Sequence, residues 1–218
     1  MQKVGKDSLI AIACKAAISR KSIFKTFIVT DSESYENEAI ENGALTLGLR
    51  PKDISQDISS DREWLNWSLC QLKKTEDIGI DDSYVIIRTT TPFRNYKTIL
   101  NAINHYKLNI TDRFTCLRSV KPVSEHPGKM WKIISEKNMS RLLPFETNDG
   151  TPWCDSQHTN LPKLFIQNAC LEIGNINTFL NIDNYPALVT IINYWSKYAN
   201  RQNLSPGPID CGISWRNE

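Results

Sequence analysis

The apolar residues of this chain alternate between short continuous runs and helical spacing. Residues 85–87 form a continuous apolar run, and Pro92, which lacks an N–H group, cannot continue a central strand beyond it. From residue 97 to residue 106 the apolar positions recur at helical spacing. This order predicts a buried parallel strand, a polar elbow at residues 88–91 and a crossover helix.

The same alternation extends along most of the chain. We expect helices over residues 8–20, 34–42, 61–72 and 175–199, the last of them broken by Pro186. We expect strands over residues 23–30, 44–49, 114–120 and 163–173, with a hairpin over 130–139. The alternation predicts an α/β fold with a mostly parallel sheet, helices on both faces and right-handed crossovers.

Composition narrows the partners and the cellular setting. The 218 residues suit one domain, and 40% hydrophobic residues suffice for a packed core. A net charge of +2 is too small to indicate a basic surface that binds nucleic acid. The sequence has no signal-peptide pattern and no apolar run long enough to span a membrane. The six scattered cysteines form no CxxC pair, which makes a zinc site or a disulfide framework unlikely. We therefore expect the protein in a reducing cytoplasm.

Polar side chains follow the strands at their expected carboxyl ends. Thr30 and Asp31 follow one strand, and Arg88 with Thr89 follows the central one. Ligands of open α/β sheets bind in the crevice beyond these ends. A loop that merely ends a strand would show the same residues, and this stretch alone leaves both interpretations open.

Several phrases, in order and spacing, resemble the acylneuraminate cytidylyltransferases, also called CMP-sialic acid synthetases. They are GKDSLI at 5–10, VTDSE at 29–33, GA at 43–44, LRP at 49–51, QD at 56–57, RTTTPFR at 88–94, LRSV at 117–120, EHPGKM at 125–130, LP at 161–162 and QN at 167–168.

The resemblance implies a nucleotide-diphospho-sugar transferase-like fold, a single domain over residues 1–218 with a small hairpin or flap at about 121–161. It implies transfer of a cytidylyl group from CTP to a nine-carbon 2-keto acid sugar, giving the CMP-sugar and pyrophosphate. It also implies Mg²⁺ as cofactor and a homodimer. The expected partners are CTP and a sialic-acid-like sugar, with no nucleic acid and no membrane.

The resemblance carries over to individual positions. The residues matched to the nucleotide pocket are Arg50, Ser59, Ser60, Asp61, Thr89 and Thr90. Those matched to the sugar site are Arg88, Thr91, Lys129 and Asn168. No catalytic residue is assigned. Structural interpretations stay open beside these: an arginine that pairs within a loop at Arg50, a helix N-cap at Ser60, and a solvated lysine at Lys129.

Two departures from the family pattern bear on activity. Met1 falls just after the position where the glycine-rich phosphate loop would end, so we expect that loop and a central strand to be missing, leaving two apolar strand edges. The paired aspartates that bind Mg²⁺ in the family are also absent, and Asp210 is the candidate ligand. The alternatives are a chain that starts late, an inactive member, or a non-catalytic nucleotide- or sugar-binding protein.

Overall fold

The computed structural model describes residues 2–18, 23, 25–75, 78–79, 81–111, 115–181 and 189–193. The chain divides into two compact units, Met1–Ser119 with Ala169–Glu218 and, separately, Val120–Asn168. The prediction of a single domain with a flap remains a prediction beside this division.

Short strands and helices alternate along the described residues. In chain order they are β1 (Lys3–Val4), β2 (Asp7–Ser8), α1 (Leu9–Ile18), β3 (Phe27–Ile28), α2 (Glu33–Glu41), β4 (Leu45–Thr46), α3 (Asp61–Thr75), β5 (Ser83–Ile87), α4 (Tyr96–Asn109), β6 (Cys116–Pro122), β7 (Trp131–Ser135), β8 (Asn138–Arg141), β9 (Phe165–Asn175), α5 (Ile176–Asn181) and β10 (Val189–Asn193). This alternation confirms the mixed α/β class.

The strands form one larger sheet and three pairs. The larger sheet has the order β10-β6-β9-β5, with β5 antiparallel to β9. Strands β3 and β4 pair in parallel, as expected for strands joined by a helix. The pairs β1–β2 and β7–β8 are antiparallel. A mostly parallel sheet remains a prediction, because these ladders are of both kinds.

Local sequence signals explain where helices begin and end. Ser8 precedes α1, and its Oγ accepts a hydrogen bond from the N–H of Ala11 at 3.0 Å, as an N-cap does. Asn95 caps α4 in the same way, accepting from the N–H of Thr98 at 3.1 Å. Gly43 follows α2 with a φ of +88°, a conformation that favours glycine at a helix end.

Helices pack against both faces of strand β5. Val85 and Ile87 lie against the cluster built from α4, β6 and β9. Tyr84 and Ile86 lie against a second cluster, built from α3 and α5. Successive residues of a strand point to opposite faces, so this partition shows that β5 is covered on both sides.

Gly174 of β9 lies opposite Tyr84 of β5 in the antiparallel register. A Cβ atom at position 174 would lie 2.6 Å from Cζ of Tyr84. The tyrosine ring therefore covers the glycine directly, and the absence of a side chain at 174 is what permits this packing.

One predicted helix is wrong at residues 189–193. We expected residues 175–199 to be helical. Helix α5 covers Ile176–Asn181, but Val189–Asn193 is strand β10 beside β6. Residues 182–188 and 194–199 of this prediction lie outside the described residues. The reason is local composition: Val189, Thr190 and Ile191 are β-branched and favour strand. Of the described helices, none is long and apolar enough to cross a membrane.

Candidate functional site

The polar elbow after β5 is held by a network of charged side chains. Arg88 donates to Asp61 with both terminal nitrogens, Nη1 to Oδ1 at 3.3 Å and Nη2 to Oδ2 at 2.5 Å. Its Nη2 also donates to Oε1 of Glu172 at 3.2 Å. Such two-point contacts fix the planar guanidinium group in one orientation.

Glu172 links two arginines across the sheet. It lies in β9 with only 7% of its surface exposed, and its second oxygen lies 3.4 Å from Nη1 of Arg118. A carboxylate this buried needs such partners. Nε of Arg88 is buried and has no hydrogen-bond partner among the described residues.

The network shifts the pKa values of its members in the expected directions. Burial alone would raise the pKa of Asp61, but hydrogen bonds from Arg88 and Trp64 and the charges of Arg88 and Arg118 lower it overall. Burial alone would lower the pKa of Arg88, but the hydrogen bonds and charges of Asp61 and Glu172 raise it. Both groups are therefore held in their charged forms.

A buried arginine, Arg94, holds the backbone of the elbow in place by hydrogen bonds. Arg94 is 2% exposed, and its Nη1 donates to the carbonyl of Arg88 at 3.0 Å and to that of Cys170 at 2.5 Å. The N–H of Thr91 also donates to the Arg88 carbonyl, at 3.4 Å. These contacts tie the turn that carries Thr89 and Thr90 to strand β9.

Arg50 lies at the end of the neighbouring strand pair. Its N–H donates to the carbonyl of Thr30 at 2.8 Å, and its Nε donates to Oγ of Ser55 at 2.9 Å. Its Nη2 lies 3.8 Å from Oδ1 of Asp31, the residue that follows the β3 segment. The side chain is 21% exposed, so its remaining donors can still reach a ligand.

Ser60 begins α3 as a capping box. Its N–H and Oγ both donate to Oε2 of Glu63, at 2.6 and 2.9 Å, and the N–H of Glu63 returns a bond to Oγ at 3.4 Å. These bonds from Ser60 lower the pKa of Glu63. Ser59 accepts from the N–H of Gln56 at 3.0 Å. The structural interpretation of Ser60 as an N-cap is thus correct, and nucleotide contact remains a prediction.

Four of the residues matched by resemblance share one cavity in the first unit. Arg50, Arg88, Thr89 and Thr90 line an opening of about 1080 Å³. Asp61 joins this group through Arg88, whereas Ser59, Ser60 and Thr91 do not line the cavity. Arginine, serine and threonine donors at the ends of strands can bind phosphate, ribose and base carbonyl oxygens.

The other two matched residues belong to the second unit. Nζ of Lys129 donates to the carbonyl of Cys154 at 2.9 Å and to that of Ser156. Nδ2 of Asn168 donates to the carbonyl of Val120 at 3.3 Å. Both side chains are thus engaged with backbone carbonyls, and their contact with a sugar remains a prediction.

His126, beside Lys129, has a structural role in the second unit. Its Nδ1 accepts from the N–H of Gly128 at 3.0 Å, and its Nε2 lies 3.1 Å from the carbonyl of Pro162. These bonds require the tautomer with hydrogen on Nε2. The ring also packs edge-on against Trp153, with centroids 5.4 Å apart.

The metal ligands proposed from the sequence cannot be located. Asp210 lies outside the described residues. Within the described part of the chain, no group of three histidine, cysteine, aspartate or glutamate side chains is placed to hold a metal ion.

Sequence reasoning missed the residues that organise the elbow: Glu172, Arg118 and Arg94. A signal for Glu172 was present, because a carboxylate stands within the apolar run of residues 170–173. Such a charge is retained in a buried strand only when it is paired. Arg94 and Arg118 lie within the motifs RTTTPFR and LRSV, but the motif resemblance assigned no function to either residue.

Two curated proteins resemble the chain in sequence. The N-acylneuraminate cytidylyltransferase of Escherichia coli is 30% identical over 209 residues, which is 90% of this chain and 48% of that protein. The CMP-N,N'-diacetyllegionaminic acid synthase of Legionella pneumophila is 28% identical over 139 residues, 63% of this chain and 57% of that protein. The chain thus spans about half the length of the curated relatives it matches. No protein-family model matches it.

A solved structure supports the fold. CMP:2-keto-3-deoxy-manno-octonic acid synthetase, solved in complex with CTP, superposes with a TM-score of 0.53 at 10% identity, over 83% of this chain and 68% of the other. At that identity the likeness shows a shared fold and nothing finer. The sequence matches confirm the resemblance drawn from the motifs: this chain is similar in sequence to an acylneuraminate cytidylyltransferase and to a CMP-legionaminic acid synthase.

Proposed function

We propose that the chain transfers a cytidylyl group from CTP to a nine-carbon 2-keto acid sugar of the sialic-acid type, releasing pyrophosphate. In this reaction the oxygen of the sugar's anomeric hydroxyl forms a bond to the α-phosphate, and the hydroxyl proton is released to solvent. The bond from the α-phosphate to the bridging oxygen breaks, and pyrophosphate leaves. The relatives are named for CMP-sugar synthesis with related acidic sugars, which supports this reaction class. The mostly parallel, nucleotide-diphospho-sugar transferase-like sheet expected from the sequence is part of the same proposal.

The observation that carries the proposal is the shared cavity of Arg50, Arg88, Thr89 and Thr90. In our proposal Arg50 binds the nucleotide through the donors left after its bond to Ser55. The two threonines offer hydroxyl groups that can donate and accept to ribose and phosphate oxygens. Ser59, Ser60 and Asp61 belong to the same proposed pocket, next to α3.

The sugar contacts form a separate part of the proposal. We assign Arg88 to the carboxylate of the sugar, with Thr91, Lys129 and Asn168 as further contacts. Because Arg88 already pairs with Asp61 and Glu172, a bound carboxylate would have to displace the more exposed of the two, Asp61. Side-chain exposure is 57% at Asp61 against 9% at Glu172, so Asp61 is the partner that can move.

Mg²⁺ is proposed as the cofactor only because the sequence resembles the cytidylyltransferases. A divalent cation, when bound, neutralises charge on the triphosphate. No step of the proposed reaction is assigned to the metal. Asp210 remains the proposed ligand.

A homodimer and a cytoplasmic location complete the proposal. The hairpin β7–β8 supports the first, because its large apolar side chains face solvent: Ile133 is 72%, Met139 62% and Trp131 51% exposed. Exposed apolar patches of this kind often mark an interface. The cytoplasm is proposed because the six cysteines are scattered along the sequence and form no CxxC pair.

The test is pyrophosphate release by the full chain with CTP, Mg²⁺ and a set of nonulosonic acids, beside CTP binding by calorimetry. We expect Arg50→Ala to weaken CTP binding by roughly tenfold, as the loss of a charge-assisted hydrogen bond does. Lys52→Ala, an exposed cation two residues away, serves as the matched control. Equal affinity in wild type and Arg50→Ala would assign Arg50 a structural role.

The alternative is a nucleotide- or sugar-binding protein without turnover. The pairing of Arg88 with two carboxylates favours it, because the terminal nitrogens are engaged before any substrate arrives. CTP binding with no pyrophosphate release from any acidic sugar would support this second function. Release of pyrophosphate would exclude it.

A further inference from the structure

Four charged side chains of alternating sign form a row within the first unit. Arg118 lies in β6, Glu172 in β9, Arg88 directly after β5, and Asp61 at the start of α3. Strand β9 lies between β6 and β5 in the larger sheet. Nη1 of Arg118 lies 3.4 Å from Oε2 of Glu172, and Oε1 of the same glutamate lies 3.2 Å from Nη2 of Arg88. The pair of Arg88 with Asp61 completes the row.

The register of β6 and β9 is fixed beside this row. Oγ of Ser119 donates to the carbonyl of Leu171 at 3.0 Å and accepts from the N–H of the same residue at 3.0 Å. Both residues are 1% exposed. Because Ser119 follows Arg118 and Leu171 precedes Glu172, these two bonds hold the arginine and the glutamate next to each other. The contact between Arg118 and Glu172 is therefore set by the sheet.

The carboxylate at the exposed end of the row is the replaceable one, since 57% of the Asp61 side chain is exposed. A ligand carboxylate in its place faces Arg88, Glu172 and Arg118, two positive groups and one negative group with a net charge of +1. Without Arg118, Glu172 would compensate the charge of Arg88 in full, and this pair would offer a ligand no net charge. Arg118 therefore supplies the charge by which the row attracts an anion.

The charge of Arg118 also acts at the position of Asp61. Burial opposes the charged form of Asp61, but Arg88, Trp64 and Arg118 together lower its pKa. The Asp61 carboxylate occupies the place that we have proposed for the carboxylate of the sugar. Burial raises the pKa of the nearby Cys116 thiol, so this group stays neutral near pH 7 and does not offset the arginine.

We propose that Arg118 is a positioning residue that determines the preference for acidic sugars: it compensates the charge of Glu172 and so leaves Arg88 positive towards the sugar's carboxylate. This inference rests on the proposed function, because it takes Arg88 as the carboxylate contact. It adds to that function a residue of β6 that does not line the cavity and that acts through Glu172. A sugar whose carboxylate is replaced by a neutral group should gain nothing from Arg118.

The experiment measures binding of N-acetylneuraminate and of its carboxamide to the full chain by calorimetry. The carboxamide keeps the shape of the sugar and removes its charge. We expect wild type to bind the acid about tenfold more tightly than the carboxamide. In Arg118→Gln, which keeps a hydrogen-bond donor for Glu172 but not the charge, acid binding should weaken about tenfold and carboxamide binding should stay the same. Arg118→Lys keeps the charge and should restore most of the affinity for the acid.

Lys97→Gln is the matched control for the loss of one positive charge. Lys97 is an exposed residue of α4 that does not line the cavity, and it takes no part in the row. This variant should bind the acid and the carboxamide as wild type does. If Arg118 only supported the fold, Arg118→Gln would weaken the binding of both ligands alike.

Three results would overturn the proposal: no preference of wild type for the acid, including no binding of either ligand; equal weakening of both ligands in Arg118→Gln; or full acid affinity in that variant. The first result does not depend on the folding of any variant. Pyrophosphate release from CTP is measured on the same samples. Release by wild type with an unchanged acid preference in Arg118→Gln means that the assignment of Arg118 fails alone. The expected binding pattern without release means that the proposed cytidylyl transfer fails alone.

Discussion

Arg88 and Asp61 are 27 positions apart in sequence and are joined by two hydrogen bonds, which fasten the first residue of α3 to the end of β5. Glu172 of β9 holds the same guanidinium group from the other side. The elbow that carries Thr89 and Thr90 therefore takes its position from three separate elements of the fold.

Loss of the buried carboxylate should be costly. In Glu172→Gln, Arg88 and Arg118 face each other without the charge that compensates them, and we expect the free energy of unfolding to fall by about 3 kcal/mol. Urea denaturation measures it. Glu125→Gln, an exposed glutamate, is the control and should change stability little. A loss at Glu172 no larger than in the control would mean that the network does not stabilise the fold.

Acid should weaken the Arg88–Asp61 pair. The pKa of Asp61 is lowered from its ordinary value of 3.8 in the folded state, so its stabilisation is present above that value and is lost as the pH falls through the lowered pKa. We expect wild type to exceed Asp61→Asn in stability by no more than about 1 kcal/mol near neutral pH, because the side chain is half-exposed.

That difference should vanish in acid. Unfolding free energies of wild type and Asp61→Asn, measured from neutral pH down to pH 2, are expected to converge below the ordinary pKa of aspartate. Asp57→Asn, an exposed aspartate in the loop before α3, provides the comparison. A gap between wild type and Asp61→Asn that stays constant with pH would contradict the assigned ion pair.

The capping box at α3 should be separable from ligand binding. Ser60→Ala removes the hydroxyl that caps the helix, and we expect a loss of about 1 kcal/mol in unfolding free energy. Ser60→Asp keeps a capping oxygen and should recover most of it. If Ser60 also contacts the nucleotide, CTP affinity should fall in both variants. If Ser60 only caps the helix, CTP affinity of Ser60→Asp should equal that of wild type.

A glycine at position 169 should stabilise the protein. Ala169 has a φ of +52°, in the left-handed region where a Cβ atom is unfavourable. We expect Ala169→Gly to raise the unfolding free energy by about 1 kcal/mol, because the relief of strain exceeds the entropy that glycine adds to the unfolded chain.

The same substitution elsewhere provides a control of opposite sign. Ala16→Gly lies within helix α1 and should lower stability by about 1 kcal/mol. Thermal denaturation of both variants checks the pair. Destabilisation by Ala169→Gly would show that the backbone at 169 is not strained.

Sequence predicted the elements with strong local signals and missed those set by distant contacts. Helices α1 and α4 and the strand at residues 85–87 agree with the sequence-based expectations within a few residues, because apolar spacing is a local signal. Strand β3 is shorter than expected, at Phe27–Ile28, because strand length depends on pairing partners that a sequence does not reveal.

The sequence predicted which residues belong to the candidate site but not the ion pairs that those residues form. The motif resemblance singled out Arg50, Arg88 and Thr89, which line one cavity. It could not show that Glu172 and Asp61 hold Arg88, because these contacts join residues far apart in sequence. Long-range ion pairs have no periodicity, so only the fold reveals them.

The packing of Tyr84 over Gly174 ties two distant positions to each other. Because a Cβ atom at 174 would lie 2.6 Å from Cζ of Tyr84, a side chain at 174 requires the ring at 84 to move or to be replaced by a smaller side chain. Changes at these two positions should therefore be inherited together, and a protein engineer who wishes to alter either must redesign both.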